Sequence, residues 1–306
     1  MHAWEAIQKT IDFVEENIGE ELEIEALAKI AGLSPFYFQR LFKRLVKKPV
    51  KEYIKLRRLA RATDLLIRTE RRIIDVALEV GFSSHESFTR SFKEAYQLTP
   101  DQYRRKPTRL NHFSKPELLL NYTMIELDVP LITEGIVLEI TRKSVTLPEI
   151  YVGLSSSISS NKAPVGFVTG IDSPGSVWDS FHKRKVRLRN KIDPGAEVGV
   201  SFSEGKKDGE FNYFAGAVAK NDLDIPEGFN KWTLPAGEYV VCCVEAETID
   251  ELVGDALGKA INYLLNSWLA NRGLVTKPFL VEKYDNNRLD DAYMEIWVKP
   301  EPKQIS

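Results

Sequence analysis

The chain repeats itself at a spacing of 49 to 50 residues, and no other feature restricts its fold as tightly. Residues 27–42 read LAKIAGLSPFYFQRLF, and residues 76–92 read VALEVGFSSHESFTRSF. Ala28 matches Ala77, Gly32 matches Gly81, Leu33 matches Phe82 and Ser34 matches Ser83. One extra residue enters the second copy. Beyond it Phe38 matches Phe88, Arg40 matches Arg90, Phe42 matches Phe92 and Lys43 matches Lys93. Each copy is a short apolar helix, a glycine-containing turn and a second helix opened by a serine cap, which is the helix-turn-helix pattern. Two copies in one polypeptide imply a single chain that reads two stretches of one DNA groove.

The surrounding periodicity extends this helical region. Trp4, Ile7, Ile11, Val14 and Ile18 step by three or four, so an amphipathic helix is expected over 3–18, ended by Gly19. A helix over 24–31 precedes the turn at Gly32. Ser34-Pro35 opens the next helix with a cap and a proline at its first position. A long linking helix is expected over 50–68, anchored by Tyr53, Leu56, Leu59, Ala60 and Leu66. Helices at 73–79 and 84–95 form the second motif, and Thr99-Pro100 starts a last short helix through Arg105. Residues 106–121, with two prolines and no firm period, read as a linker. The domains are therefore expected at 1–106 and 122–306, joined by a linker over 107–121.

Charge follows the same division. Residues 1–108 hold 20 Lys+Arg against 16 Asp+Glu, a balance of +4, which leaves −6 for the rest of a chain whose net charge is −2. Within 40–72 there are 13 basic and 3 acidic residues. A local positive field that begins at the first recognition helix suits phosphate contact, although a solvated helix surface would share that composition.

From about 122 the pattern changes to alternating apolar residues: IVLEITRKSV, EIYVGLS, AEVGVSFS, FNYFAGAVA, EYVVCCVEA, FLVEKYD and AYMEIWV. These read as strands, interrupted by helical stretches near 174–190 and 248–270. This half also repeats. Thr146-Leu147-Pro148 and Thr233-Leu234-Pro235 each precede a strand, a helix and a pair of strands. The fold expected is an all-α double helix-turn-helix domain followed by an α+β domain. Its duplicated strand–helix–strand–strand units should build a mainly antiparallel sheet, with helices on one face and a central cleft.

Composition excludes several classes. No apolar run approaches the roughly 18 residues of a membrane span, and the N-terminus has no basic start or apolar core of a secretion signal. The two cysteines, Cys242 and Cys243, are adjacent among valines. They are expected to be reduced strand residues of a cytoplasmic protein, because a disulfide prefers a wider Cα separation. No metal set has ligand spacing, and no cofactor is expected.

Both halves resemble known families. Residues 4–106 resemble the AraC/XylS DNA-binding domain over its whole length. The resemblance rests on ALAKIAGLSPFYFQRLFK, on the linking helix YIKLRRLARATDLL and on IIDVALEVGFSSHESFTRSFKEAYQLTPDQYR. The C-terminal half is similar to the GyrI-like effector-binding domain of Rob-like and multidrug-sensing regulators, through Trp178-Asp179-x-Phe181, FNYFAGAVA, LPAGEYVV and FLVEKY. The resemblance implies a transcription regulator, with activation through RNA polymerase as the first expectation. Its partners would be double-stranded promoter DNA and a small-molecule effector, with no membrane. An alternative is a GyrI-like hydrolase or drug-sequestering protein fused to a DNA-binding domain, with Glu and Tyr as acid/base groups. Against catalysis, G-x-S-x-G is absent, and neither Ser155 nor His182 has a readable partner.

Candidate contacts follow from the exposed helix faces. In 34–46 the core should take Phe38, Leu41, Phe42 and Leu45, leaving Pro35, Phe36, Gln39, Arg40 and Lys43 on the DNA side. Gln39 can bond adenine bidentately, Arg40 can bond guanine or a phosphate, and an exposed Phe36 can touch thymine methyls. Burial of Phe36 against the linking helix is the other reading. Rob-like members carry Trp, Gln and Arg at positions 36, 39 and 40, and an amide residue at position 85. Lys47 and Lys48 are expected on phosphates. The second motif offers Ser84, His85, Ser87, Thr89 and Arg90, with Arg90 equally suited to an ion pair against the linking helix. In the second half Glu282 and Tyr284 lie two apart, on one strand face. The family resemblance places Glu282 in the cleft, against cationic ligands. With Trp178, Phe181, Tyr213, Trp268 and Trp297 it would favour an organic cation by charge and cation–π attraction. The other reading is a solvated Glu282 and aromatics that are plain core.

Overall fold

The computed structural model describes residues 2–133, 135–159, 169–203, 210–220, 225–276, 279–285 and 292–303. They form two compact units. One runs to Thr123 and includes Gly170–Ile171, and the other holds most of the chain from Met124 onward.

The first unit is helical: α1 (Ala3–Glu16), α2 (Ile24–Ile30), α3 (Pro35–Val46), α4 (Val50–Arg68), α5 (Ile73–Glu79), α6 (His85–Tyr96) and α7 (Pro100–Arg105). The repeat read in the sequence is a repeat of geometry. Both turns use a glycine in the left-handed region, Gly32 at φ 67° and Gly81 at φ 86°. In each, the next amide reaches back to close the helix end, Leu33 to Ala28 O and Phe82 to Ala77 O, both at 2.9 Å. This is a Schellman closure, which wants a residue without a Cβ. Ser34 and Ser84 then accept from the amides of Tyr37 and Ser87. Both recognition helices end on a left-handed residue, Lys47 and Gln97, each at φ 62°.

Two apolar cores serve the two motifs. One gathers Ile7, Ile11, Val14, Leu27, Phe38, Phe42, Val46, Tyr53 and Leu56. The other gathers Leu59, Ala62, Leu66, Val76, Ala77, Phe88, Phe92, Tyr96 and Tyr103. Helix α4 is long enough to serve both, its first half buried in one core and its second half in the other.

The stretch 107–121 is not the loose linker that its prolines suggested. It holds β1 (Leu110–Asn111) and leads into α8 (Leu118–Tyr122). Phe113 and Leu118 are buried in the first helical core. The backbone carbonyl of Phe113 accepts from Arg57 at 2.6 Å, and the Leu118 amide donates to Gln8 at 2.9 Å. The absence of periodicity reflected burial by isolated anchors rather than by a face.

The second unit contains β2 (Leu131–Thr133), β3 (Ile136–Val145), β4 (Glu149–Ser159), α9 (Ser173–Arg184), β6 (Ile192–Phe202), β7 (Glu210–Ala219), β8 (Asn230–Leu234) and β9 (Gly237–Ala246). The short β5 (Gly170–Ile171) pairs antiparallel with β1 in the helical unit. Helix α10 covers 249–269 and includes π-wound turns at Leu252–Ala256 and Leu264–Leu269. Strands β10 (Leu274–Thr276), β11 (Phe279–Asp285), β12 (Ala292–Val298) and β13 (Pro300–Pro302) follow.

Nine strands make one sheet in the order β2-β3-β9-β12-β11-β6-β7-β4-β8, antiparallel at each strand pairing. The duplication is now explicit. The units β4–α9–β6–β7 and β9–α10–β11–β12 meet where β11 pairs with β6. Strand β3, ahead of the first unit, pairs with β9 of the second, and β8, ahead of the second, pairs with β4 of the first. Helix α9 packs on β4 and β7, and α10 packs on β9 and β12.

Candidate functional site

The DNA-facing candidates lie on α3 and α6. Core positions Phe38, Leu41, Phe42 and Val46 turn one face of α3 inward. The same geometry leaves Pro35, Phe36, Gln39, Arg40 and Lys43 exposed. Phe36 is 76% exposed, which rules out its burial against α4. Tyr37, 53% exposed beside it, was not singled out from the sequence. The signal was available, since 37 lies outside the stripe 38, 41, 42 and 46. Lys47 is exposed, whereas Lys48 is half-buried and paired with Glu52 at 3.1 Å.

On α6 the sequence candidates separate. His85 and Arg90 are exposed, and among the described residues Arg90 makes no ion pair, so the linking-helix alternative for it falls away. Ser84 and Ser87 spend their hydroxyls on each other's backbone, Ser84 Oγ accepting from the Ser87 amide and Ser87 Oγ donating to Ser84 O at 3.0 Å. They shape the helix start. Glu86 folds back on its own amide and the Ser84 hydroxyl, which hold its carboxyl below the ordinary range. Its carboxylate thus sits as a cap at a helix N-terminus. Thr89 is a correction: its hydroxyl is shut from solvent and has no hydrogen-bond partner among the described residues. Position 89 is three and seven residues before the buried Phe92 and Tyr96, so it flanks the core stripe.

A cavity of about 950 Å³ lies between the motifs. Glu20, Glu21, Glu23 and Glu25 line one wall, and Lys51, Lys55 and Arg58 line another. It has no aromatic wall apart from Phe82 and suits a solvent-filled groove.

The second candidate site is built on the central strands of the sheet. Glu282 stands on β11, directly opposite Gly199 on β6, where the two repeats join. It is 5% exposed. Tyr213 and Tyr284 both donate to one oxygen, Oε2, at 2.9 and 3.0 Å. Trp178 of α9 donates from Nε1 to the Tyr213 hydroxyl at 2.9 Å, and its ring meets Tyr284 edge-on at 5.4 Å. Gly199 is the residue that makes this possible and that sequence reading missed. A Cβ there would stand 2.8 Å from Glu282 Oε2 and strike the Tyr213 hydroxyl. A glycine inside a strand is the available signal of such a close approach.

Burial pushes the Glu282 carboxyl above its ordinary range, opposed by the two phenol hydrogen bonds and assisted by Asp172. Burial, then the nearby Glu282 charge, pushes Tyr213 and Tyr284 well above the ordinary phenol value. The tyrosines therefore act as donors that stay protonated. No cationic side chain among the described residues pairs with Glu282.

Not every aromatic candidate joins this group. Phe181 is fully buried in the core under α9, in a ring contact with Trp178 at 6.1 Å. Trp268 is buried on α10, where its Nε1 donates to Ile125 O and Arg272 stacks on it at 3.9 Å. Trp297 is on the opposite sheet face. It pairs with Val281, one residue out of step with Glu282, and carries Lys283 Nζ at 4.0 Å over its ring. An odd-numbered offset along paired strands is enough to move a side chain across the sheet. Next to Trp178, His182 and Lys185 both hold the buried Glu197, at 3.0 and 2.7 Å.

Among the described residues no group of His, Cys, Asp and Glu could hold a metal, and no helix is long and apolar enough to cross a membrane. Cys242 and Cys243 are both free.

Comparison with known proteins agrees with both halves. Residues 27–106 match the family described as helix-turn-helix domain, and residues 145–298 match the family described as integron-associated effector binding protein. The chain is 42% identical over 104 residues to the uncharacterized HTH-type transcriptional regulator YbfP of Bacillus subtilis, covering 34% of this chain and 35% of that protein. It is 38% identical over 100 residues to the regulatory protein SoxS of Salmonella typhimurium, covering 33% of this chain and 94% of the relative. The match thus spans about a third of YbfP and nearly all of SoxS. A solved structure of SAV2435 bound to tetraphenylphosphonium is similar over 53% of this chain and 94% of that one, at 16% identity and a TM-score of 0.42.

Proposed function

The chain belongs to the AraC-type helix-turn-helix regulators that carry a C-terminal effector-binding domain of the integron-associated, GyrI-like kind, and from that premise we propose a two-part mechanism. In it α3 and α6 enter successive major-groove segments of a promoter, and an organic cation bound at Glu282 controls the outcome. The DNA-reading part is assigned to 1–106 and the effector part to 122–306. Phe36, Gln39 and Arg40 read base edges from α3, and His85 and Arg90 do so from α6. Lys43 and Lys47 contact phosphates. Activation by recruitment of RNA polymerase, in the cytoplasm, is part of the proposal and is supported by the family resemblance alone.

The observation that carries the effector half is Glu282. A carboxylate shielded from water, with no cationic partner among the described residues, is a costly arrangement for a fold to keep. Both phenol donors bond Oε2, which leaves Oε1 for a ligand. A cation with an aromatic body would replace the lost water at the carboxylate and lie against Trp178.

Footprinting tests the DNA half. Recognition helices on one DNA face sit about one turn, roughly 10 bp, apart, so one chain should protect an asymmetric site of about 20 bp as a monomer. A site with dyad symmetry, bound only by dimers, would overturn the reading.

A further inference from the structure

The two motifs have separate apolar cores joined by the continuous helix α4, and a second junction links them beside it. The junction is polar and centres on Arg58 of α4. Its Nε donates to Ile18 O at 2.9 Å and its Nη2 to Glu20 O at 2.6 Å, both just past the end of α1. Its Nη1 donates to Gly81 O at 2.7 Å, in the turn of the second motif. A Cβ on Gly81 would stand 2.5 Å from the guanidinium carbon, so the glycine serves the clasp as well as the turn. Beside it, a Cβ on Gly19 would stand 2.5 Å from Glu79 O, at the end of α5. One planar fork thus binds two carbonyls of the loop that leads into the first motif and one in the turn of the second. A guanidinium presents several N–H donors in one fixed plane, which suits three converging carbonyl acceptors.

We propose that Arg58 is a positioning residue that fixes the separation of α3 and α6, and so selects the number of base pairs between the two half-sites. The proposal rests on the reading that both helices enter DNA. One base pair moves a half-site by about 3.4 Å along the duplex and turns it by roughly a tenth of a full rotation. A rigid junction must distinguish one spacing from its neighbours, and a loosened junction must not. Arg58 spends its donors inside the protein, so this role is separate from phosphate contact. Lysine keeps the charge, but a single ammonium cannot span the three carbonyls in the fixed geometry of the fork.

The test uses the full chain and a duplex chosen by the wild type from a random-sequence pool. Two derivatives carry one base pair more or one fewer between the half-sites. The wild type should lose about tenfold or more on either derivative, a penalty of the size of a mismatched base pair. Arg58→Lys should narrow that ratio to under about threefold while leaving the salt dependence unchanged, because no phosphate contact is lost. Gly19→Ala adds one methyl at the same junction and removes no charge. It should narrow the ratio likewise, and it carries the test if Arg58→Lys fails to fold in a thermal melt. If the folded variants keep the wild-type ratio, or lose all three duplexes equally, Arg58 only stabilises the fold and the proposal is wrong. If the wild type selects no two-part site, the DNA reading falls and takes the proposal with it. A wild type that selects a two-part site but tolerates all three spacings overturns the proposal alone.

Discussion

On the proposed reading, single side chains set specificity at both sites. Gln39 and Arg40 are exposed on α3. Replacing either by Ala should weaken the selected duplex by about 1–3 kcal/mol and random DNA little, as loss of a base contact does. Lys47→Ala should weaken both alike and lower the salt slope by about one. Binding titrations at two salt concentrations separate these, and equal loss on both DNAs for Arg40→Ala would reduce it to a phosphate contact. At Glu282 the sign of the pH effect follows from burial. Its carboxyl is held above the ordinary range, so a cation must bind the ionised form against that shift. Cation affinity should therefore rise with pH through the raised value, and below that value binding should release a proton. Glu282→Gln keeps the shape, and should weaken a cationic aromatic dye while sparing its neutral isostere. Calorimetry in two buffers of different ionisation heat reads both effects. Equal loss of dye and isostere, or a dye affinity that does not fall as pH is lowered, would turn the search toward neutral or anionic ligands.

Among the elements, the stretch after α7 behaves least as its sequence suggested. His112 meets the Tyr96 hydroxyl at 3.0 Å, in a ring contact at 5.6 Å. Burial lowers its pKa to about 4, from the 6.5 of a free imidazole. The unfolded chain therefore takes up the proton first as pH falls. The contribution of His112 to stability is whole above about 6.5 and is lost as pH drops from there through about 4, by at most about 3 kcal/mol. Thermal unfolding of the helical unit at pH 7.5 and 4.5 should show the loss, and His112→Gln should flatten it. An unchanged slope in the variant would mean that the acid sensitivity arises elsewhere. The same contacts explain why 107–121 is ordered: Phe113, Leu118 and His112 each fill one gap, without the period by which a helix or strand announces itself.

The whole molecule has independent cores. The helical unit is built on the clusters around Phe42 and Phe92, and the sheet unit on clusters around Phe181 and Trp297. Heating should give two transitions, and a cationic dye at a hundred times its Kd should stabilise the sheet unit alone, by about 2.7 kcal/mol. A selected duplex should raise the other transition. A single transition shifted by both ligands would show that the units unfold together. This experiment also measures the dye without any knowledge of the promoter.

The helical architecture was written in the sequence, because each of its devices is local. The glycine at the turn, the serine cap and the i, i+4 apolar stripe act within a few residues, and the repeat displayed them twice. The strand–helix–strand–strand duplication was legible for the same reason, from alternation and a repeated Thr-Leu-Pro. What the sequence by itself could not supply was the pairing of distant strands. Only the register of β11 with β6 sets Glu282 opposite Gly199, beneath Tyr213 and Trp178, and only the register with β12 puts Trp297 on the far face. Tyr213 lies 69 positions before Glu282 and Trp178 another 35 before Tyr213, and a shift of one residue in any pairing would scatter the site. Arg58 belongs to the same class: its helix was predictable, but the three carbonyls it binds come together only when the two helical cores are set side by side.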